Sequence, residues 1–258
     1  TLSLGNHTLQ FFMAPMVHWP EVMVEYEQTE KILFSADGFG KFGASDVEED
    51  WDDEARRYFI NIVGKYGSQV QALLKKAATL DIQTICPLHG PVLKENLGYY
   101  IGKYLTWSSY EPEEEGVVVA YASIHGNTGK AAARMAEILK ENGAENVKVF
   151  DLARDDMAEA ISSAFRYRRL IVMGVTYDGN LFPCMEDFLY HLKIKTYKKR
   201  KVGIVENGSW APMAGKLMKA YFEGMKDIEI CEPVVTIKSV MKDADEENMK
   251  TLAKAVLA

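Results

Sequence analysis

The run Val117-Val118-Val119-Ala120-Tyr121-Ala122 constrains this chain more than any other segment. It stops abruptly at Ser123-Ile124-His125-Gly126-Asn127-Thr128, and an Ala-rich helical pattern follows from Gly129 to about Asn142. A strand that delivers a Ser/Gly/Asn/Thr loop to a helix N-terminus makes a phosphate cradle. Backbone N–H groups, two hydroxyls and the positive end of the helix dipole converge there. A Walker A loop is excluded, because Ile124 stands where its first glycine is needed and Ala131 follows Gly129-Lys130. The dinucleotide fingerprint G-x-G-x-x-G is excluded too, since only Gly126 and Gly129 are present. An ordinary βα turn with an Asn-Thr cap is the plain alternative.

What remains, Ser-x-x-Gly-Asn-Thr, resembles the first loop of the flavodoxins, which wraps the single phosphate of FMN. The downstream pattern agrees. Val147–Leu152, Leu170–Val175, Lys201–Glu206 and Val234–Ile237 are short β-branched runs. Helical patterns lie between them at Asp155–Phe165, Met185–Lys193, Met213–Met225 and Ala244–Val256. The fold class is therefore α/β, with a doubly wound five-stranded parallel sheet. The flavodoxin-like order 2-1-3-4-5 is expected, with the ligand beyond the strand C-termini at the switch point. The third strand ends in Thr176-Tyr177-Asp178-Gly179-Asn180 and the fourth in Asn207-Gly208-Ser209-Trp210. Tyr177 and Trp210 can stack on a flat ring, while Gly179 and Gly208 let backbone amides approach its polar edge. A loop aromatic packed at a rim is the plain alternative for each ring.

The first 110 residues carry different chemistry. Pro15–Pro20, Phe34–Gly40 and Cys86–Pro91 are strand-like runs ending in turns, with His18, Asp37 and His89 at the tips. Two imidazoles and a carboxylate at strand ends are candidate ligands for a hard-to-borderline metal. A lone histidine is as often packed or solvent-facing, and Asp-Gly is a turn signal. Spacing alone leaves both open.

His18-Trp19-Pro20, Asp37-Gly38-Phe39-Gly40 and Leu88-His89-Gly90 together resemble the second half of a metallo-β-lactamase-like αβ/βα domain. Ahead of a flavodoxin-like domain, they make essentially the whole chain similar to the C-terminal part of the flavodiiron proteins, or A-type flavoproteins. The resemblance implies an enzyme that reduces dioxygen to water or nitric oxide to nitrous oxide at two irons. FMN would be fed by a small redox protein, and a head-to-tail homodimer would bring flavin near iron. Carried over, His18 and His89 would each ligate one iron and Asp37 would bridge both. Ser123 to Thr128 would hold the FMN phosphate, with Thr176–Asn180 and Asn207–Trp210 flanking the ring.

The family's other iron ligands lie in a His-x-Glu-x-Asp-His motif upstream of the residue matching His18. Here His7 is the only earlier histidine and no carboxylate precedes Glu21. The resemblance thus implies a diiron site this chain only partly supplies, completed by an N-terminal companion chain. The alternative is an FMN electron carrier with an incomplete metal half. A zinc hydrolase of the β-lactamase-like fold is a third reading, disfavoured because hydrolysis needs no electron supply. Half of such a fold would expose an apolar sheet face.

The domains are expected at 1–110 and 117–258, joined by a charged linker at 111–116. No apolar run is long enough for a membrane span. The net charge of −7, without interleaved basic and aromatic residues, argues against nucleic acid. Cys86, Cys184 and Cys231 are isolated, which suits a reducing, cytoplasmic setting rather than a disulfide framework. Leu97–Trp107 reads as a core-packed helix, and Ala55–Leu80 as a helix broken near Gly64–Ser68. The acidic run Asp46–Glu54 suits a first helical turn. Lys198–Lys201 reads as a solvated loop or as a docking patch for an acidic electron donor.

Overall fold

Short strands in the first part of the chain alternate their residues between a covered and an open face. The computed structural model describes residues 1–44, 46–47 and 49–258. It has two units, Thr1–Glu111 and Pro112–Ala258. In the first, β1 (Leu2–Ser3), β2 (Thr8–Met13), β3 (Met23–Glu27), β4 (Ile32–Phe34) and β5 (Thr84–Cys86) pair in that order. Only β4 and β5 run parallel. Val24, Tyr26 and Leu33 are buried on one face. On the other, Met13 lies opposite Met23 and Phe34 opposite Glu25, with Met13, Met23 and Phe34 at 52%, 46% and 42% exposure.

Helix α1 (Trp51–Tyr58) starts inside the acidic run, four residues before the predicted Ala55. Asp50 accepts the N–H of Asp52 at 3.2 Å, and Asp52, Asp53 and Glu54 complement the dipole. Glu48, in the same run, lies outside the described residues. A π turn (Phe59–Val63) and a 3-10 turn (Gly64–Tyr66) then interrupt the helix before α2 (Gly67–Ala77). The cause is tertiary: the Tyr110 hydroxyl donates to the Gly64 carbonyl at 2.8 Å and accepts from the Gly67 N–H at 3.2 Å. Helix α3 (Leu97–Ser109) buries Tyr104 and Trp107, and Trp107 stacks on Trp51 with ring centroids 5.7 Å apart.

The second unit is doubly wound. Strand β6 runs Glu114–Tyr121, so Glu114–Gly116 are strand rather than linker. Glu114 pairs with Tyr167 across the sheet and sits 2.7 Å from Arg166. Next come α4 (Asn127–Glu141), β7 (Val147–Asp151), α5 (Met157–Arg166) and β8 (Tyr167–Tyr177). Strand β8 is longer than predicted because its charged start conceals it, Arg168 and Arg169 both pairing with Glu115. Strand β9 (Asn180–Leu181), α6 (Pro183–Ile194), β10 (Arg200–Asn207), α7 (Ala214–Glu223), β11 (Ile228–Ile230), β12 (Val235–Ile237) and α8 (Asp243–Leu257) complete it.

The strands align as β7-β6-β8-β10-β11, with β12 also on β10, which is the order 2-1-3-4-5. The fifth position holds two pieces where one was predicted: β11 pairs with the start of β10 and β12 with its end. Pro233 lies between them and has no N–H to give the ladder. Strand β9 is an antiparallel addition to β8. Helices α4 and α8 cover one face, where Met135, Leu139, Leu252 and Val256 meet Val117, Val119, Ile171 and Val205. Helices α5, α6 and α7 follow one another over the alternate residues.

Candidate functional site

In the second unit the loops leaving β6, β8, β10 and β12 enclose a cleft of about 490 Å³, the size of a cofactor site. It is lined by Ser123, Ile124, His125, Asn127 and Thr128, by Thr176, Tyr177, Asp178 and Gly179, and by Asn207, Gly208, Ser209 and Trp210. Gly126 and Asn180, predicted with them, do not line it. Gly126 is the N-cap of α4 at φ +86°, a conformation that favours glycine. Asn180 sits in β9 opposite Tyr177.

The N-cap of α4, Gly126, has no side chain to cap it, and its N–H donates to the Ser123 hydroxyl oxygen at 3.1 Å. The N–H groups of the first helical turn have no acceptor within the helix. With the dipole behind them they form an anion seat, and Ser123 keeps its own O–H to donate. At the rim, Trp210 is 93% exposed, and Tyr177 stands edge-on to Phe182 at 5.5 Å. This donor set fits a monophosphate joined to a flat ring.

Two predicted contacts turn out to position loops. The Thr176 hydroxyl accepts the N–H groups of Met213 and Ala214 at 2.9 and 3.1 Å, capping α7. Asn207, buried, donates to the Ser239 carbonyl at 2.9 Å and accepts the Ser239 N–H at 3.0 Å. Ser239 thereby joins the cleft, a residue the sequence reading missed. Its signal was its place just past the end of the fifth strand.

In the first unit the three predicted ligands converge. His18 lies between β2 and β3, Asp37 follows β4, and His89 follows β5. His18 Nε2 is 3.2 Å from Asp37 Oδ2, and His89 Nε2 is 3.4 Å from Asp37 Oδ1. One imidazole per carboxylate oxygen is what a carboxylate shared by two ions requires. Among the described residues, no group of three or more His, Cys, Asp or Glu side chains is placed to hold one ion. The cluster therefore fits the bridging half of a two-metal centre and not a complete site.

Backbone bonds hold this cluster. The Ser35 hydroxyl donates to the Gly38 carbonyl at 2.6 Å, and the Leu88 N–H donates to the Ala36 carbonyl at 2.8 Å. The Phe39 N–H donates to the Tyr104 hydroxyl oxygen at 2.7 Å. Gly40 passes so close to His89 that a Cβ there would meet its carbonyl oxygen at 2.8 Å. Tyr58 was not foreseen. It lines a cleft of about 390 Å³ with Asp37, Lys41 and His89. Its hydroxyl is buried and meets no partner at full hydrogen-bond geometry among the described residues, though Asp37 lies near enough to act on it as a weak acceptor. Burial, and then the charges of Asp37 and Tyr104, push its phenol well above the ordinary range. Burial likewise raises Tyr104, with Asp37 adding to it and the Phe39 N–H opposing it. Lys41 pairs with Glu49 at 2.5 Å.

The first 90 residues match the family model described as "ODP family beta lactamase". A nitric oxide reductase of Moorella thermoacetica is 28% identical over 268 residues, taking in 100% of this chain and 66% of that protein. The structure of a rubredoxin oxygen:oxidoreductase from Desulfovibrio gigas superposes with a TM-score of 0.92 at 26% identity, covering 99% of this chain and 66% of that one. A flavodiiron protein from Giardia intestinalis has the same fold, with a TM-score of 0.89 at 22% identity over 99% of this chain and 66% of that one. The chain thus spans just under two thirds of the length of these proteins. Its homologues and structural neighbours are flavodiiron proteins, matched along the whole chain by a β-lactamase-like first unit and a flavodoxin-like second unit.

Proposed function

We propose that this chain binds FMN in the cleft of its second unit and supplies part of a diiron centre from its first. It would serve an oxidoreductase that reduces dioxygen to water or nitric oxide to nitrous oxide. The observation that carries this reading is a pairing within one chain. An uncapped helix N-terminus stands beside Ser123, and a carboxylate faces one imidazole with each oxygen. Bound at these places, FMN would supply one-electron transfer and the irons the reduction of the gas.

The chain's own residues would do the rest. The Ser123 hydroxyl and the first-turn N–H groups of α4 would hold the phosphate, while Trp210 and Tyr177 would cover the ring and keep water from it. Asp37 would place one negative charge between two cations, and His18 and His89 would bind through Nε2. Tyr58, kept protonated by burial and by the charge of Asp37, would hold a proton at its hydroxyl oxygen beside the centre. The remaining iron ligands would come from residues outside this sequence. Electrons would come from a small redox protein, a partner supported by a 27% identical relative named rubredoxin-oxygen oxidoreductase. A homodimer in a reducing, cytoplasmic setting completes the proposal.

A second reading, an FMN electron carrier, is favoured by one observation: among the described residues no three ligands gather around a single ion. One sample separates the two. An absorbance spectrum is recorded on purified protein and its iron and zinc are quantified. Flavin bands with about two irons per chain support the reductase. Flavin without iron supports the carrier, and zinc with esterase activity would point to a hydrolase. Absence of flavin binding after addition of FMN would sink both flavin readings.

A further inference from the structure

The first unit holds a second space that the reading above leaves unused. A narrow void of about 40 Å³ runs between the covered face of the sheet and α2. Its outer end lies among Leu73, Ala77 and Leu80, which are partly exposed. Its inner end stops at Ser35, Gly38 and Phe39, to either side of Asp37. Buried Val24, Leu33, Val70 and Leu74 form the walls.

Water has little to bind there. The Ser35 hydroxyl already donates to Gly38, the Tyr104 hydroxyl accepts from Phe39 and keeps one O–H, and the remaining polar lining residue, Lys76, stands at the exposed end. A buried water needs two to four polar partners, and cavities without them stay dry and admit apolar guests such as xenon. One water needs about 10–15 Å³ of such space, so the void has room for a guest of two heavy atoms.

We infer that this void is a binding site for a small apolar diatomic gas, held behind the loop that carries Asp37. The inference rests on the function proposed above, in which such a gas is the substrate. It also separates two traffics. Water and protons reach Asp37 and His89 through the polar cleft of Lys41 and Tyr58, while gas collects on the apolar side.

The test needs neither metal nor turnover. Crystals of the full chain under xenon should show one xenon between Val70, Leu74 and Phe39. In solution, dissolved dioxygen should speed the relaxation of the Val70 and Leu74 methyl protons several-fold more than those of Val117 and Val119. Those two are fully buried in the second unit's core and serve as the internal standard. Ala77→Phe should abolish both signals, and Leu80→Phe replaces it if that variant does not fold. Absence of xenon at this place, or equal relaxation at Val70 and Val117, would overturn the inference. Xenon and dioxygen in the void of a protein that, loaded with FMN and iron, consumes neither dioxygen nor nitric oxide would uphold the site and overturn the function it was linked to.

Discussion

At Gly40 the smallest possible change meets a neighbour that cannot yield. Gly40→Ala would drive a methyl into the His89 carbonyl oxygen, 2.8 Å from the ideal Cβ position. The imidazole would move away from Asp37, and displaced ligand support costs about 10-fold to 100-fold in metal affinity. A competition titration with zinc should show that loss, and unchanged affinity would mean His89 does not bind metal. Tyr58→Phe is expected to behave oppositely. It removes a buried hydroxyl with no partner at full hydrogen-bond geometry among the described residues, so the unfolding free energy from urea melts should hold or rise, by up to about 1 kcal/mol. A clear loss of stability would show that the hydroxyl has a partner. Glu27 gives the acid response of this unit. Burial pulls its carboxyl up, but the N–H groups of Glu30 and Thr29, the Thr29 hydroxyl and His7 outweigh it and hold it at about 2, against an ordinary 4.5. A carboxyl depressed in the folded state stabilises above its unfolded pKa and loses that contribution as pH falls toward the folded one. Stability should therefore decline between pH 4.5 and about 2, and Glu27→Gln should flatten that decline in denaturant melts.

Elements are joined at their ends by buried polar side chains that resemble ligand contacts in the sequence. Thr176 is the case to test. Its hydroxyl bonds to the first N–H groups of α7, as does Glu206, which accepts from Gly215 at 2.7 Å. Thr176→Val should cost about 1 kcal/mol, as loss of a helix cap does. It should also weaken FMN binding by loosening the loop that carries Trp210. Equilibrium unfolding and flavin fluorescence quenching read the two effects, and a variant with both unchanged would deny the cap any part in the site. Arg200 corrects the sharper reading of the basic run. It is buried, with its guanidinium donating to the carbonyls of Tyr167 and Phe165, and Lys201 pairs with Glu229. The run also opens β10, whereas the cleft lies past Asn207 at the other end, about 25 Å along a strand of this length. A docking surface at Lys198–Lys201 would sit far from the cleft.

At the scale of the whole chain the two units differ in how they close. In the second, helices cover both faces of the sheet. In the first, Met13, Met23 and Phe34 stay exposed on one face, where a second layer would complete a sandwich. Sedimentation of the full chain should show concentration-dependent association, and the double substitution Met13→Lys with Phe34→Lys should suppress it. A wild-type chain that stays monomeric at high concentration would contradict this. Among the described residues, no helix is long and apolar enough to cross a membrane.

The parts legible in the sequence were those ruled by short-range physics. The strands and helices of the second unit followed from apolar period, its strand order from the flavodoxin resemblance, and the cleft loops from glycine and hydroxyl content at strand ends and the rule that ligands sit past parallel strand C-termini. His18, Asp37 and His89 each tip a strand-like run, which made them candidates, but their roles as ligands came from the family resemblance. Tertiary structure alone decided how the polar groups are shared out. Tyr110 broke the first long helix, Thr176 and Asn207 became clamps, and Ser239 entered the cleft. Tyr58 came to face Asp37 from a helix position that carries no local signal. Hydrogen-bond partners distant in the chain are fixed by packing, and packing is set by the whole core rather than by any one segment's composition.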